Sequence, residues 1–166
     1  TTEIYTLSLH DALPILKIST LMGSGRKIGA FSLPFFVIGI TINYFYPQIF
    51  RIDGSSGPLF WISILFLLLG VINWAWSVIL ILIKAPRKEL ITTGPFSLVK
   101  HPLYVGFVFL IIPWAGFLLN SWLGIVLGLV LYIAIRIFAP KEEQILSKIF
   151  GKDWDDYTKK VILPWI

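Results

Sequence analysis

His101 is followed directly by Pro102 and, three residues on, by Tyr104, and these side-chain types at this spacing are suited to holding a small ligand. Proline fits the first turn of a helix, where its missing N–H is not needed, so His101-Pro102 predicts a helix start. From that start the imidazole and the phenol share one face. Beside apolar sequence, such a pair suits a ligand that is part polar and part aromatic. Lys100 stands immediately before it, and Gly94-Pro95 is a turn signal just upstream. Further along, Arg136 precedes two adjacent carboxylates, Glu142 and Glu143. Each of these has a plainer reading. A histidine before proline is often only a cap, paired glutamates a solvated face, and an arginine near a membrane a snorkelling side chain. Arg136 equally suits a bidentate contact to a carboxylate or phosphate.

The elements that must position these residues are apolar. The 166 residues make one domain by size, yet 57% are hydrophobic and 14% charged, with a mean hydropathy of +0.83. That composition points to lipid as the solvent. The absence of cysteine excludes a disulfide scaffold, a thiolate nucleophile and a thiolate metal site, and no metal site is expected. A net charge of +5 would suit nucleic acid, but the basic residues flank apolar runs as in a membrane protein, so no nucleic-acid partner is expected.

Four apolar runs follow one another. The first extends from Ile28 to about Phe50 behind Arg26-Lys27, with Pro34 a kink site and Tyr44, Tyr46 and Phe50 an interfacial belt. The second extends from Leu59 to Ile83 after a turn-rich linker. It carries Asn73 near its middle, where an interhelical hydrogen bond is favoured over contact with a ligand. Leu103–Leu119 and Trp122–Phe138 make a hairpin across an Asn120-Ser121 turn, of barely sufficient spanning length. Pro113 should kink the third run, and Gly106, Gly116, Gly124 and Gly128 should allow close helix approach. Pro140 should bend the fourth helix as it leaves the membrane, followed by a short helix to Phe150, a stop at Gly151 and a cap at Asp153. Trp154, Val161, Ile162, Leu163 and Trp165 should press this tail back over the Gly94–Tyr104 connection.

Two blocks carry a family resemblance. Thr92-Thr93-Gly94-Pro95-Phe96-Ser97-Leu98-Val99-Lys100-His101-Pro102-Leu103-Tyr104 resembles the TxGPYxxxRHPxYxG signature of the isoprenylcysteine carboxyl methyltransferases, a family that also takes in phospholipid N-methyltransferases. Glu142-Glu143-Gln144-Ile145-Leu146, with Phe150-Gly151 and Tyr157, resembles the EExxLxxxFGxxYxxY tail of the same family. Lys100 stands where the family has arginine, which loses a planar fork, and Phe96 where it has tyrosine. The resemblance implies S-adenosylmethionine as cofactor and a lipophilic small-molecule or lipid substrate. It also implies that Gly94, Lys100, His101, Pro102, Tyr104, Glu142 and Glu143 hold the cofactor. The two glutamates would meet its ammonium and sulfonium, and His101 with the backbone near Pro102 its carboxylate. Arg136 and Glu142 would serve the transfer itself.

The expected protein is thus an all-α, multi-pass integral membrane protein of about four transmembrane helices, with a cytoplasmic C-terminal helical tail folded over the cofactor site. With four spans, every Lys and Arg except Arg51 falls on the side of the motif loops, which is cytoplasmic by the positive-inside rule. Residues 1–15, TTEIYTLSLHDALPI, read as a non-native, adaptor-like segment before a single domain over 16–166, so His10 and Asp11 stand outside the site, and the true N-terminus, with whether a helix is missing there, is left open. Oligomeric state is left open. The leading acceptor is a carboxyl group, with a phospholipid amine as the rival. A membrane reductase of the steroid reductase type using NADPH, and a non-enzymatic membrane protein, are the alternatives of other classes.

Overall fold

Long apolar runs bounded by prolines, glycines and charges fold as helices because in lipid every backbone N–H and C=O must be satisfied within its own segment. The computed structural model describes residues 24–52 and 57–163. The expectations for residues 1–15, including His10 and Asp11, and for Trp165 lie outside the described residues. The described residues are helical, with two isolated β-bridges. In chain order they form α1 Gly25–Phe45, α2 Gly57–Lys84, α3 Pro95–Leu98, α4 Pro102–Leu118, α5 Leu123–Phe150 and α6 Lys152–Lys160.

Three of these, α1, α2 and α5, are long and apolar enough to cross a membrane. The helix α4 is apolar but shorter; its 17 residues reach about 25 Å at 1.5 Å each, against a hydrocarbon thickness of about 30 Å. The reason lies in its sequence. Pro113 removes a donor, and instead of a simple kink the preceding residues Gly106–Ile111 widen into a π-helical stretch, with the N–H of Ile112 reaching back to the carbonyl of Phe107.

Small residues hold α4 between its neighbours. A Cβ on Gly124 would lie 2.5 Å from the carbonyl oxygen of Ile112, and one on Gly116 2.7 Å from Cα of Gly124, so the α4–α5 hairpin packs backbone against backbone. The turn between them places Asn120 in the left-handed region, with the N–H of Ser121 donating to the carbonyl of Gly116. On the other side, Asn73 of α2 donates from Nδ2 to the carbonyl of Pro102 at 2.8 Å, the interhelical bond expected of an amide within an apolar run. Below it, Phe66 and Trp114 stack at 4.2 Å between ring centroids. The helix α1 packs on α5 around Ile28, Val108, Ala134, Ile135 and Ala139.

Two expectations about the tail are corrected. Pro140 does not start a separate helix over 141–150; α5 runs on through it to Phe150. Proline in a helix interior withholds one hydrogen bond, and here the carboxylates of the following turn are tied to α4, the connection and the start of α1, which anchors that turn. Asp153 is not a cap either, because Gly151, at φ 52°, makes the stop and stands before α6, leaving Asp153 and Asp155 in the first turn where they complement the helix dipole.

The backbone contact at Gly124 predicts that Gly124→Ala destabilises the purified protein by about 1–3 kcal/mol through overpacking. Gly29→Ala, whose Cβ would meet nothing within 4 Å, should leave the thermal midpoint in detergent unchanged or slightly raised; equal midpoints for the two variants would contradict this packing.

Candidate functional site

The helix start predicted at Pro102 forms, and it sets His101 and Tyr104 on one face with ring centroids 5.3 Å apart. His101 is 8% exposed, so its ring is fixed by what surrounds it. The end of α5 meets this stack from the side. Glu143 Oε1 accepts from Lys100 Nζ at 2.6 Å and lies 3.2 Å from His101 Nε2, whose N–H donates when that nitrogen is protonated. Glu142 Oε2 accepts from the Tyr104 hydroxyl at 3.0 Å and from the backbone N–H of Ser24 at 3.2 Å. Two residues of α5 therefore meet two from the connection, one from α4 and one from the start of α1.

The apolar run of α5 covers residues 123–139, and the glutamates stand on the polar turns beyond it. The hydrogen bond from His101, reinforced by the Lys100 ammonium, outweighs partial burial and lowers the Glu143 carboxyl from its ordinary 4.5 to about 2. The lysine that replaces the expected arginine thus makes a single short contact in place of a fork.

Between this cluster and α5 opens a cavity of about 150 Å³, lined by Lys100, His101, Tyr132, Arg136, Glu143 and the apolar residues Ile135, Ala139 and Pro140. Arg136 therefore faces the same space as His101. Tyr104 and Glu142 form the adjoining wall, bonded to each other. Pro102 is fully buried beneath and gives its carbonyl to Asn73. Gly94 is set apart from the others. At φ 62° it turns the connection against α2, where a Cβ would lie 3.1 Å from the Trp76 ring, so its place here is in the turn.

The tail closes over the connection as its apolar residues suggest. Trp154, Tyr157 and Val161 are buried against Leu90, Leu146 and Phe150, the N–H of Leu163 donates to the carbonyl of Leu98, and the Tyr157 hydroxyl donates to the carbonyl of Phe96 at 2.7 Å. Burial pushes the Tyr157 phenol up to about 12. Ile162 stays exposed. A larger recess of about 480 Å³ between connection and tail, lined by Thr92, Ser97, Asp153, Asp156, Tyr157 and Lys160, holds none of the expected site residues. Sequence reasoning missed Ser24 altogether. A serine ahead of an apolar run reads as a helix cap, and nothing in the sequence pairs it with a glutamate 118 positions away.

The family model described as phospholipid methyltransferase matches residues 58–153. A protein-S-isoprenylcysteine O-methyltransferase of Mus musculus is 33% identical over 85 residues, 50% of this chain and 30% of that protein. A probable protein-S-isoprenylcysteine O-methyltransferase of Oryza sativa subsp. indica is 33% identical over 82 residues, 48% of this chain and 43% of its own length. Protein-S-isoprenylcysteine O-methyltransferase B of Arabidopsis thaliana is 33% identical over 86 residues, 48% of this chain and 42% of its length. The chain thus spans less than half the length of these curated relatives. No solved structure matches.

Because the folded pKa of Glu143 lies below its unfolded value, its contribution to stability is complete above about pH 4.5 and is lost as pH falls through about 2. The stability difference between wild type and Glu143→Gln in detergent should be flat from neutral pH to about 4.5 and shrink below it. A difference that instead grows on acidification would contradict the Lys100–Glu143–His101 arrangement.

Proposed function

The chain belongs to the phospholipid methyltransferase family, and from that premise we propose that it is an integral membrane methyltransferase that uses S-adenosylmethionine and acts on the carboxyl group of a lipophilic acceptor. The observation that carries the reading is the convergence of the two motif blocks: His101, Tyr104 and Lys100 from one bond Glu142 and Glu143 from the other. The named activity of the matched relatives, O-methylation of S-isoprenylcysteine, supports a carboxyl acceptor.

The side chains gathered here fit the donor by their chemistry. When bound, S-adenosylmethionine supplies a methyl group on a positively charged sulfur, already activated toward displacement. Glu142 and Glu143 offer carboxylates for its ammonium and a field of the right sign for the sulfonium, while Lys100 and His101 offer cation and N–H donors for its carboxylate. Tyr104 offers an aromatic face. At about 150 Å³ the cavity beside Glu143 is smaller than the roughly 300–1,000 Å³ that encloses a drug-sized ligand, so Glu143 exchanges its Lys100 and His101 partners on binding.

For a carboxylate acceptor no strong base is required. The work of the chain is to hold the reacting groups aligned and exclude water. Arg136, facing the cavity from the emerging end of α5, orients the acceptor carboxylate by a bidentate contact. The acceptor's tail would remain in the bilayer against the apolar faces of α4 and α5, entering laterally. By the positive-inside rule the basic flanks support a cytoplasmic side for the connection and the tail, where a soluble donor is available. An amine acceptor would instead need a proton removed, a role open to His101.

Radiolabelled S-adenosylmethionine incubated with the full chain and total membrane lipids should give labelled product. Base-labile label marks an ester, base-stable label an N-methyl amine. His101→Ala and Glu142→Gln should each lower transfer by about a hundredfold or more, the scale of losing a charge-assisted contact at a reacting centre. Wild-type transfer by both variants would remove the proposed site.

A further inference from the structure

The first helix lies outside the segment matched by the family model, yet its first residues reach into the candidate site. The N–H of Ser24 donates to Glu142 Oε2 at 3.2 Å, the same oxygen that takes the Tyr104 hydroxyl at 3.0 Å. Ser24 is itself buried at 7% exposure, and its hydroxyl donates to the carbonyl of Phe138 at 2.9 Å, one turn before Glu142 on α5. The next residue lies alongside, since a Cβ on Gly25 would stand 4.0 Å from the Tyr104 hydroxyl. Behind Ser24 runs a 21-residue helix whose N-terminus carries partial positive charge toward the carboxylate.

We infer that Ser24 is a positioning residue for Glu142: its backbone N–H, at the positive end of α1, fixes the carboxylate oxygen shared with Tyr104, and its hydroxyl ties that helix end to the turn of α5 on which Glu142 sits. A glutamate has three rotatable side-chain bonds, and one donor leaves it a wide arc. Two donors from different helices on one oxygen hold it in one place. The start of α1 is then part of the site, although nothing in the two motif blocks calls for it. The role of Glu142 toward the methyl donor rests on the reading given under Proposed function; the Ser24 contact can be tested without it.

Ser24 has φ −75°, which proline adopts, so Ser24→Pro replaces the N–H by a ring carbon facing the Glu142 carboxylate, while Ser24→Ala keeps the donor. Both lose the hydroxyl, and their difference reads the loss of the backbone contact to Glu142. With S-adenosylmethionine as the titrant and the purified full chain in detergent, Ser24→Pro should bind about tenfold or more weaker than Ser24→Ala. In a Glu142→Ala background, which removes the acceptor oxygen, that difference should vanish. A purely structural Ser24 would give the same loss in both backgrounds, and this would overturn the inference.

Hydrogen exchange of the full chain gives a second measurement that needs no proline variant. The Ser24 amide should be slow in wild type, fast in Glu142→Ala and still slow in Glu143→Ala. A Ser24 amide indifferent to Glu142→Ala would equally overturn the proposal. If Glu142→Gln binds S-adenosylmethionine as wild type does while exchange follows the expected pattern, the positioning stands and the donor-binding role of Glu142 falls.

Discussion

Two neighbouring carboxylates at the emergent end of α5 gather the separated parts of the molecule. Consecutive helical residues point about 100° apart, so Glu142 and Glu143 reach to different sides of the same turn. One collects Ser24 and Tyr104, the other Lys100 and His101. Charge near a membrane is costly unless paired or hydrogen-bonded. That requirement makes each glutamate draw donors from wherever the fold brings them, and here they come from α1, the connection and α4. The continuity of α5 through Pro140 follows, because the turn after the proline is anchored on two sides.

The position of His101 depends in turn on how α4 is held. Its beginning is fixed by Asn73 at the Pro102 carbonyl, and its body by glycine contacts that leave no room for a side chain between it and α5. The π-helical stretch ahead of Pro113 shortens the helix and sets its register within this slot. With ordinary side chains at Gly106 and Gly116 of α4 and at Gly124 of α5, a helix of this length would sit further from both neighbours. The His101–Tyr104 stack would then miss the end of α5.

The site thus has an inner and an outer boundary. The inner one, Tyr132 and Ile135 beside Arg136, is apolar and continuous with the helix faces that would meet lipid. The outer one is the tail, where Tyr157 and Leu163 bond the backbone of the Phe96–Leu98 turn and Trp154 seals the contact. Such a layout suits a greasy acceptor and a charged donor arriving from different phases, which is the division of labour proposed for this chain.

Much of this was legible in the order of residues. Hydropathy gave the starts of the helical runs to within a few positions, His101-Pro102 gave the helix start that aligns imidazole with phenol, Gly151 gave the stop, and Asn73 declared itself by being an amide among apolar neighbours. These are local properties, decided by propensity, backbone donors and the cost of burying a polar group. What the tertiary structure alone decided is partnership across distance: that Glu143 takes Lys100 and His101 while Glu142 takes Tyr104, that Gly94 serves a turn against Trp76, that Pro140 is carried inside a continuous helix, and that Ser24 closes on a carboxylate 118 positions away. A sequence states which groups need partners. Only the packing of helices, through glycines that permit contact and carboxylates that demand it, determines which ones they find.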